Sequence, residues 1–136
     1  MKISGCRKIV GGSGEGAALV SSQPINFLAM VDAKTGRITD EKHELFGKSL
    51  KDTVLVFPNA IGSSVGAYVF YSLRESGTAP AAIVCTKADI TTASGCAIAR
   101  IPVVDLPAKK PISSIKGGTR VRVDADSGTI DSNRQI

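Results

Sequence analysis

Three short, uninterrupted apolar runs set the rhythm of the chain: residues 53–57 (TVLVF), 81–85 (AAIVC) and 101–104 (IPVV). Runs of this length without polar alternation predict strands covered on both faces. The first is the clearest, because four of its five residues are β-branched or aromatic. Between the first and second runs, residues 64–76 carry Val65, Tyr68, Val69 and Leu73 at i, i+3, i+4 and i+8. That spacing predicts a helix burying this stripe, with Gly77 as its stop signal. Between the second and third runs, Asp89 is placed to cap a short helix from Ile90 to about Ala99. A β-α-β-α-β core follows.

The flanking segments predict outer strands. Residues 2–10 read as one strand entering a turn at GGSGEG, and residues 17–21 as a short apolar run stopped by Ser22, Gln23 and Pro24. A further apolar stretch at residues 25–31 leads into a polar excursion, residues 32–52, with Gly36 and Gly47 as turn points. After the turn at Gly117-Gly118, residues 119–130 (TRVRVDADSGTI) alternate like a half-exposed strand with a hairpin at Asp126-Ser127-Gly128. No repeat or linker divides the chain. The expectation is a single α/β domain over residues 1–136.

Composition narrows the chemistry. The apolar fraction of 43% and charged fraction of 21% are those of an ordinary globular protein. No apolar run approaches the roughly 18 residues of a membrane span. Charges interrupt the N-terminal stretch MKISGCRKIVGG, so no signal peptide is expected, and the chain is expected in the cytoplasm. The net charge of +5 is spread thinly, its closest pairs being Arg7-Lys8 and Lys109-Lys110. With two Tyr, four Phe and no Trp there is no stacking platform for bases, which argues against nucleic acid. An anionic small molecule or an acidic partner fits the charge instead. Cys6, Cys85 and Cys96 are widely separated and His43 is the one histidine, so no zinc or cluster ligand set is present and the thiols read as reduced core residues.

Two glycine-rich segments invite a functional reading. Gly12-Ser13-Gly14-Glu15-Gly16-Ala17 fits the loose GxGxxA dinucleotide pattern, and Asp32 follows about 20 residues later. The helix that motif requires is missing, since SSQP breaks the chain within five residues; a tight turn between two strands is expected. The second segment is PNAIGSSVGAY, residues 58–68. It places Ser63 and Ser64 where a strand hands over to a helix, beside N–H groups that lack intrahelical partners. A serine there acts as a helix cap, or its alkoxide is stabilised by those donors, or the pair cradles an anion. Ser64 as the cap would leave Ser63 free to face a substrate. Gly62 and Gly66 suggest close approach by a ligand. His43 lies in a charged loop with no visible orienting partner and reads as a surface residue.

The GSS turn resembles the catalytic serine loop of the C-terminal swivelling domain of aconitases. Beyond the loop, GGSGEGAALVSSQPINF, VDAKTGRITDEKHELFGKSL, TVLVFPNAIGSSVGAY and SGTAPAAIVCTKADI run in one order across most of the chain and resemble the small subunit of the aconitase X family. The resemblance implies a swivelling β/β/α domain and a hydro-lyase that is active only with a large subunit, in a heterodimer or higher assembly. The resemblance further implies dehydration of (R)-5-phosphomevalonate to trans-anhydromevalonate 5-phosphate in a modified mevalonate route to isoprenoids. The implied cofactor is an iron–sulfur cluster, 4Fe-4S, held by the large subunit and not by this chain. Ser63 becomes the proton acceptor, with Gly62 and Ser64 as substrate-binding neighbours. Aconitases follow their two serines with an arginine, where this chain has Val65, so that charge must come from the large subunit or be replaced by backbone N–H groups. A hydroxyproline-type dehydratase subunit and a non-catalytic anion-binding module are the competing readings.

Overall fold

In the computed structural model, which describes residues 1–132, thirteen elements follow in chain order. They are β1 (Lys2–Ile3), β2 (Arg7–Val10), β3 (Ser13–Val20), α1 (Phe27–Met30), β4 (Val31–Asp32), β5 (Arg37–Ile38), β6 (Val54–Phe57), α2 (Ala67–Ser76), β7 (Ala82–Cys85), α3 (Ile90–Ala99), β8 (Val103–Asp105), β9 (Arg120–Asp124) and β10 (Thr129–Ser132). Single 3-10 turns lie at Ser64–Gly66, running into α2, and at Ile112–Ser114.

Strands β3, β6, β7 and β8 are parallel neighbours, as the β-α-β-α-β reading requires. The rest of the sheet is antiparallel, giving the order β1-β10-β9-β3-β6-β7-β8-β2. All four residues of β6 and of β7 are fully buried. Alternation sorts them into two cores. Leu55, Phe57, Ile83 and Cys85 join Phe27, Phe70, Leu73 and Cys96 on the helical side. Val54, Val56, Ala82 and Val84 meet Val121, Val123, Ile130 and Ile3 on the other. The antiparallel strands thus cover the face that the helices leave open.

β3 is the seam between the two halves. Its first part, Ser13 to Ala17, pairs with β9, and Ala18 to Val20 pair with β6. The expected tight turn is confined to Gly11-Gly12, where Gly12 has φ +110°. Gly14 and Gly16 are strand residues instead. A Cβ on Gly14 would lie 2.1 Å from the Ala81 carbonyl oxygen, and one on Gly16 would lie 2.2 Å from that of Asp52. The glycines of this motif serve backbone-to-backbone approach inside the fold, not a phosphate.

Other expectations are adjusted. Residues 2–10 form two strands rather than one, broken at Gly5 (φ +77°), with the Cys6 N–H donating to Gly128 O. The stretch 25–31 becomes the one-turn helix α1, capped by the Asn26 side chain. The predicted stripe on α2 is rotated: Leu73 and Phe70 are fully buried, while Val65 and Tyr68 are 50% and 71% exposed. By contrast α3 runs as read, with the Asp89 carboxylate accepting from Thr92 N–H.

Gly14→Ala tests the seam. It should destabilise the chain by about 1–3 kcal/mol or prevent folding, because backbone on both sides must move. Gly117→Ala, where nothing lies within 4 Å of the added atom, should change the urea midpoint little.

Candidate active site

The C-terminal ends of β6, β7 and β8 form the edge where ligands gather in open parallel sheets. The serine segment leaves β6 through Pro58 and Asn59 and is braced from two sides. On one side, Ile25 pairs with Ala60 in a parallel bridge: Ile25 N–H donates to Asn59 O at 3.3 Å and Ile61 N–H to Ile25 O at 3.0 Å. On the other, Asp89 Oδ1 accepts from Ala60 N–H at 2.8 Å and from Thr92 Oγ1 at 2.8 Å, while Oδ2 takes Thr92 N–H at 3.1 Å. One carboxylate therefore caps α3 and fixes the start of the serine loop.

Gly62 has φ +95°, and a Cβ there would fall 2.5–2.7 Å from the Asn26 side-chain amide. Its glycine is demanded by the loop's own geometry. Gly66 is buried at the α2 junction, where an added Cβ would make ordinary contacts with Thr91 and Phe27. The loop's own packing thus accounts for the glycine at position 62, whereas at position 66 the fold would accept a Cβ.

Ser63, not Ser64, is the cap. Its extended backbone (φ −67°, ψ 145°) precedes the 3-10 turn, and its Oγ accepts from Val65 N–H at 3.2 Å. The helix starts one turn earlier than its α-helical part, which moves the cap back by one residue. Gly62, Ser63 and Ser64 are all exposed. A hydroxyl that receives a backbone N–H at a helix start is also a hydroxyl whose anion that donor favours. The two roles weighed for this loop thus fall on one oxygen.

His43 was expected at the surface, yet it is 6% exposed. Leu45 N–H donates to its Nδ1 at 3.1 Å, so the ring proton sits on Nε2, 3.1 Å from Pro24 O. Both nitrogens are engaged in holding the loop, and neither is aimed at the serine segment. Beside it, Glu44 gathers Ser21 Oγ (2.7 Å), Ser22 Oγ (3.1 Å), Gln23 N–H (3.3 Å) and Ser22 N–H. These bonds, led by that from the Ser21 hydroxyl, hold its carboxyl below the usual range. The polar excursion thereby fastens residues 21–26, which in turn brace the serine loop. No such network could be read from spacing.

Cys6, Cys85 and Cys96 are free and buried, and burial pushes each thiol above its ordinary pKa. Among the described residues no group of three or more His, Cys, Asp or Glu is arranged to hold an ion. Among them, too, no helix is long and apolar enough to cross a membrane.

A mixed α/β domain that folds its sheet over itself and presents a serine at a strand-to-helix turn belongs to the class of aconitase-type swivelling domains. A family model described as the aconitase X swivel domain matches residues 3–132, and the chain belongs to that family. It is 44% identical over 125 residues to the phosphomevalonate dehydratase small subunit of Methanothermobacter thermautotrophicus, covering 92% of this chain and 95% of that one. It is 46% identical over 131 residues to the protein of the same name from Methanosarcina acetivorans, covering 96% and 90%. Its fold matches the crystal structure of Thermococcus kodakaraensis aconitase X in its holo-form at a TM-score of 0.91, with 43% identity and coverage of 98% and 99%.

Two outcomes test the bracing. Asp89→Ala should cost about 1–3 kcal/mol, combining a lost cap with an unsatisfied Ala60 N–H, whereas Asp89→Asn should cost less. For Glu44 the folded-state pKa is depressed, so its stabilisation is present above the ordinary carboxylate pKa and is lost as pH falls through the lowered value. Hydrogen-exchange protection of the Ser22 and Gln23 amides should therefore persist below the ordinary carboxylate range and drop only in stronger acid. In Glu44→Gln it should be low and independent of pH.

Proposed function

We propose that the chain is the small subunit of a two-chain hydro-lyase that dehydrates 5-phosphomevalonate, and that Ser63 is its proton acceptor. The observation that carries the chemistry is the exposed Ser63 Oγ receiving the Val65 N–H at the start of the helix. The substrate and the need for a large subunit are supported by the relatives' name over nearly the full chain.

The reaction needs a base for the proton on the carbon next to the carboxylate. The serine alkoxide takes that proton, the freed C–H pair becomes the new double bond, and the neighbouring C–O bond breaks with its electron pair leaving on the hydroxyl; return of the proton from Ser63 to that hydroxide completes the water and restores the alkoxide. An ordinary serine hydroxyl is far too weak a base. The Val65 amide lowers the cost of the alkoxide, in place of the arginine that aconitases have at that position. Gly62 and Ser64 flank the base on the exposed surface and form the substrate's floor. Departure of the hydroxyl calls for an electrophile that no residue of this site supplies. In this reading that Lewis acidity would be supplied by an iron–sulfur cluster held by the large subunit. Among the described residues the three cysteines are free and buried and make no ligand set for such a cluster. The assembly works in the cytoplasm.

Ser63→Ala in the reassembled enzyme should lower turnover by roughly 10²–10⁴ while KM changes less. The same substitution should cost the isolated chain only about 0.5–2 kcal/mol, the worth of a cap. Ser64→Ala should leave stability nearly unchanged. Near-normal turnover with Ser63→Ala would assign the base to the large subunit.

A further inference from the structure

The outer surface of α2 and α3 carries apolar side chains that the fold does not use. Tyr68 is 71% exposed, Ile98 64%, Val65 50% and Tyr71 45%. With Ser64 and Ser94 they line a groove of about 550 Å³ between the two helices. No lining residue is charged, although the chain has 17 Lys and Arg and 12 Asp and Glu. α3 has no charged residue at all along ITTASGCAIA, and Gly95 lets it approach α2 so closely that an added Cβ would lie 2.7 Å from Ala67 O. A solvent-facing helix is normally charged on its outer side. Charge appears only at the far end, where Arg74, Glu75 and Arg100 border a smaller hollow that shares Tyr71 and Ile98. An uncharged centre carrying two tyrosines, with charge at its border, is the make-up of a protein–protein interface.

The near end of the groove identifies the occupant. Ser64 is both the neighbour of Ser63 and a wall of the groove. A chain that brings an electrophile and substrate to Ser63 arrives beside this surface, toward which Val65 turns an apolar side chain. We infer that the α2–α3 groove seats an apolar segment of the large subunit, which closes over the serine from that side. This inference rests on the two-chain reading above and adds the face by which the chains meet.

The test measures binding of the purified large subunit from the same organism to wild-type chain, Tyr68→Glu, Ile98→Glu and the control Phe46→Glu. Phe46 is 51% exposed and outside the groove. Circular dichroism and thermal melting should be alike for all four, since the substituted side chains face solvent. Tyr68→Glu and Ile98→Glu should each weaken binding roughly thirtyfold or more, and Phe46→Glu less than about threefold. Wild-type-like affinity in both groove variants would overturn the inference while leaving the two-chain reading intact. Failure of the wild-type chain to bind would overturn both. A homodimer of the isolated chain that Tyr68→Glu dissociates would hand the groove to a second copy and overturn the inference.

Discussion

A central strand buried on both faces imposes most of this architecture. With Val54, Leu55, Val56 and Phe57 all inaccessible, β6 needs an apolar layer above and below it. Helices α1, α2 and α3 supply one layer, but a sheet of this size has no second set of helices. The sheet supplies the other layer itself, by letting β3 leave β6 and continue alongside β9. That turn brings backbone onto backbone at Ala81 and Asp52, and only residues without a side chain fit there. The glycines of GGSGEG, which looked like a cofactor motif, are a consequence of burying β6 twice.

The same constraint places the chemistry. Parallel strands end at one edge, so the loops after β6 and β7 must be neighbours. Asp89 makes that adjacency a bond: it holds the Ala60 amide while capping α3. Opposite it, Ile25 and Asn26 clamp the loop through main-chain pairing and through the amide packed on Gly62. Ser63 is thereby exposed yet carried on a segment with little freedom. The Val65 N–H is therefore aimed at the Ser63 oxygen before any ligand arrives, which is what pre-organised stabilisation of a negative charge requires.

What could be read from the sequence follows from how local its cause is. The strands β6 and β7 and the helix α3 are written in runs and caps a few residues long, and they fold where those signals predict. The serine loop was legible as a strand-to-helix turn for the same reason. The face of α2 was not, because apolar periodicity marks every face that avoids water, including one that a folded monomer leaves open. Val65 and Tyr68 obeyed the spacing of a core stripe while pointing away from the core. The choice of cap was missed because a 3-10 turn precedes α2, and the turn leaves no compositional mark. His43 was misread because its partners are the main-chain groups of Pro24 and Leu45, the former 19 residues away in sequence.

The valine after the two serines links these observations. An arginine there would favour an alkoxide through its charge, but it would also set a cation at the mouth of the groove. Valine divides the tasks: its amide serves Ser63, and its side chain extends the apolar surface toward Tyr68 and Ile98. In a swivelling domain joined covalently to its catalytic partner, association needs no adhesive surface. Where the partner is a separate chain, contact alone must hold it, and apolar area beside the serine loop provides this without adding an unpaired charge.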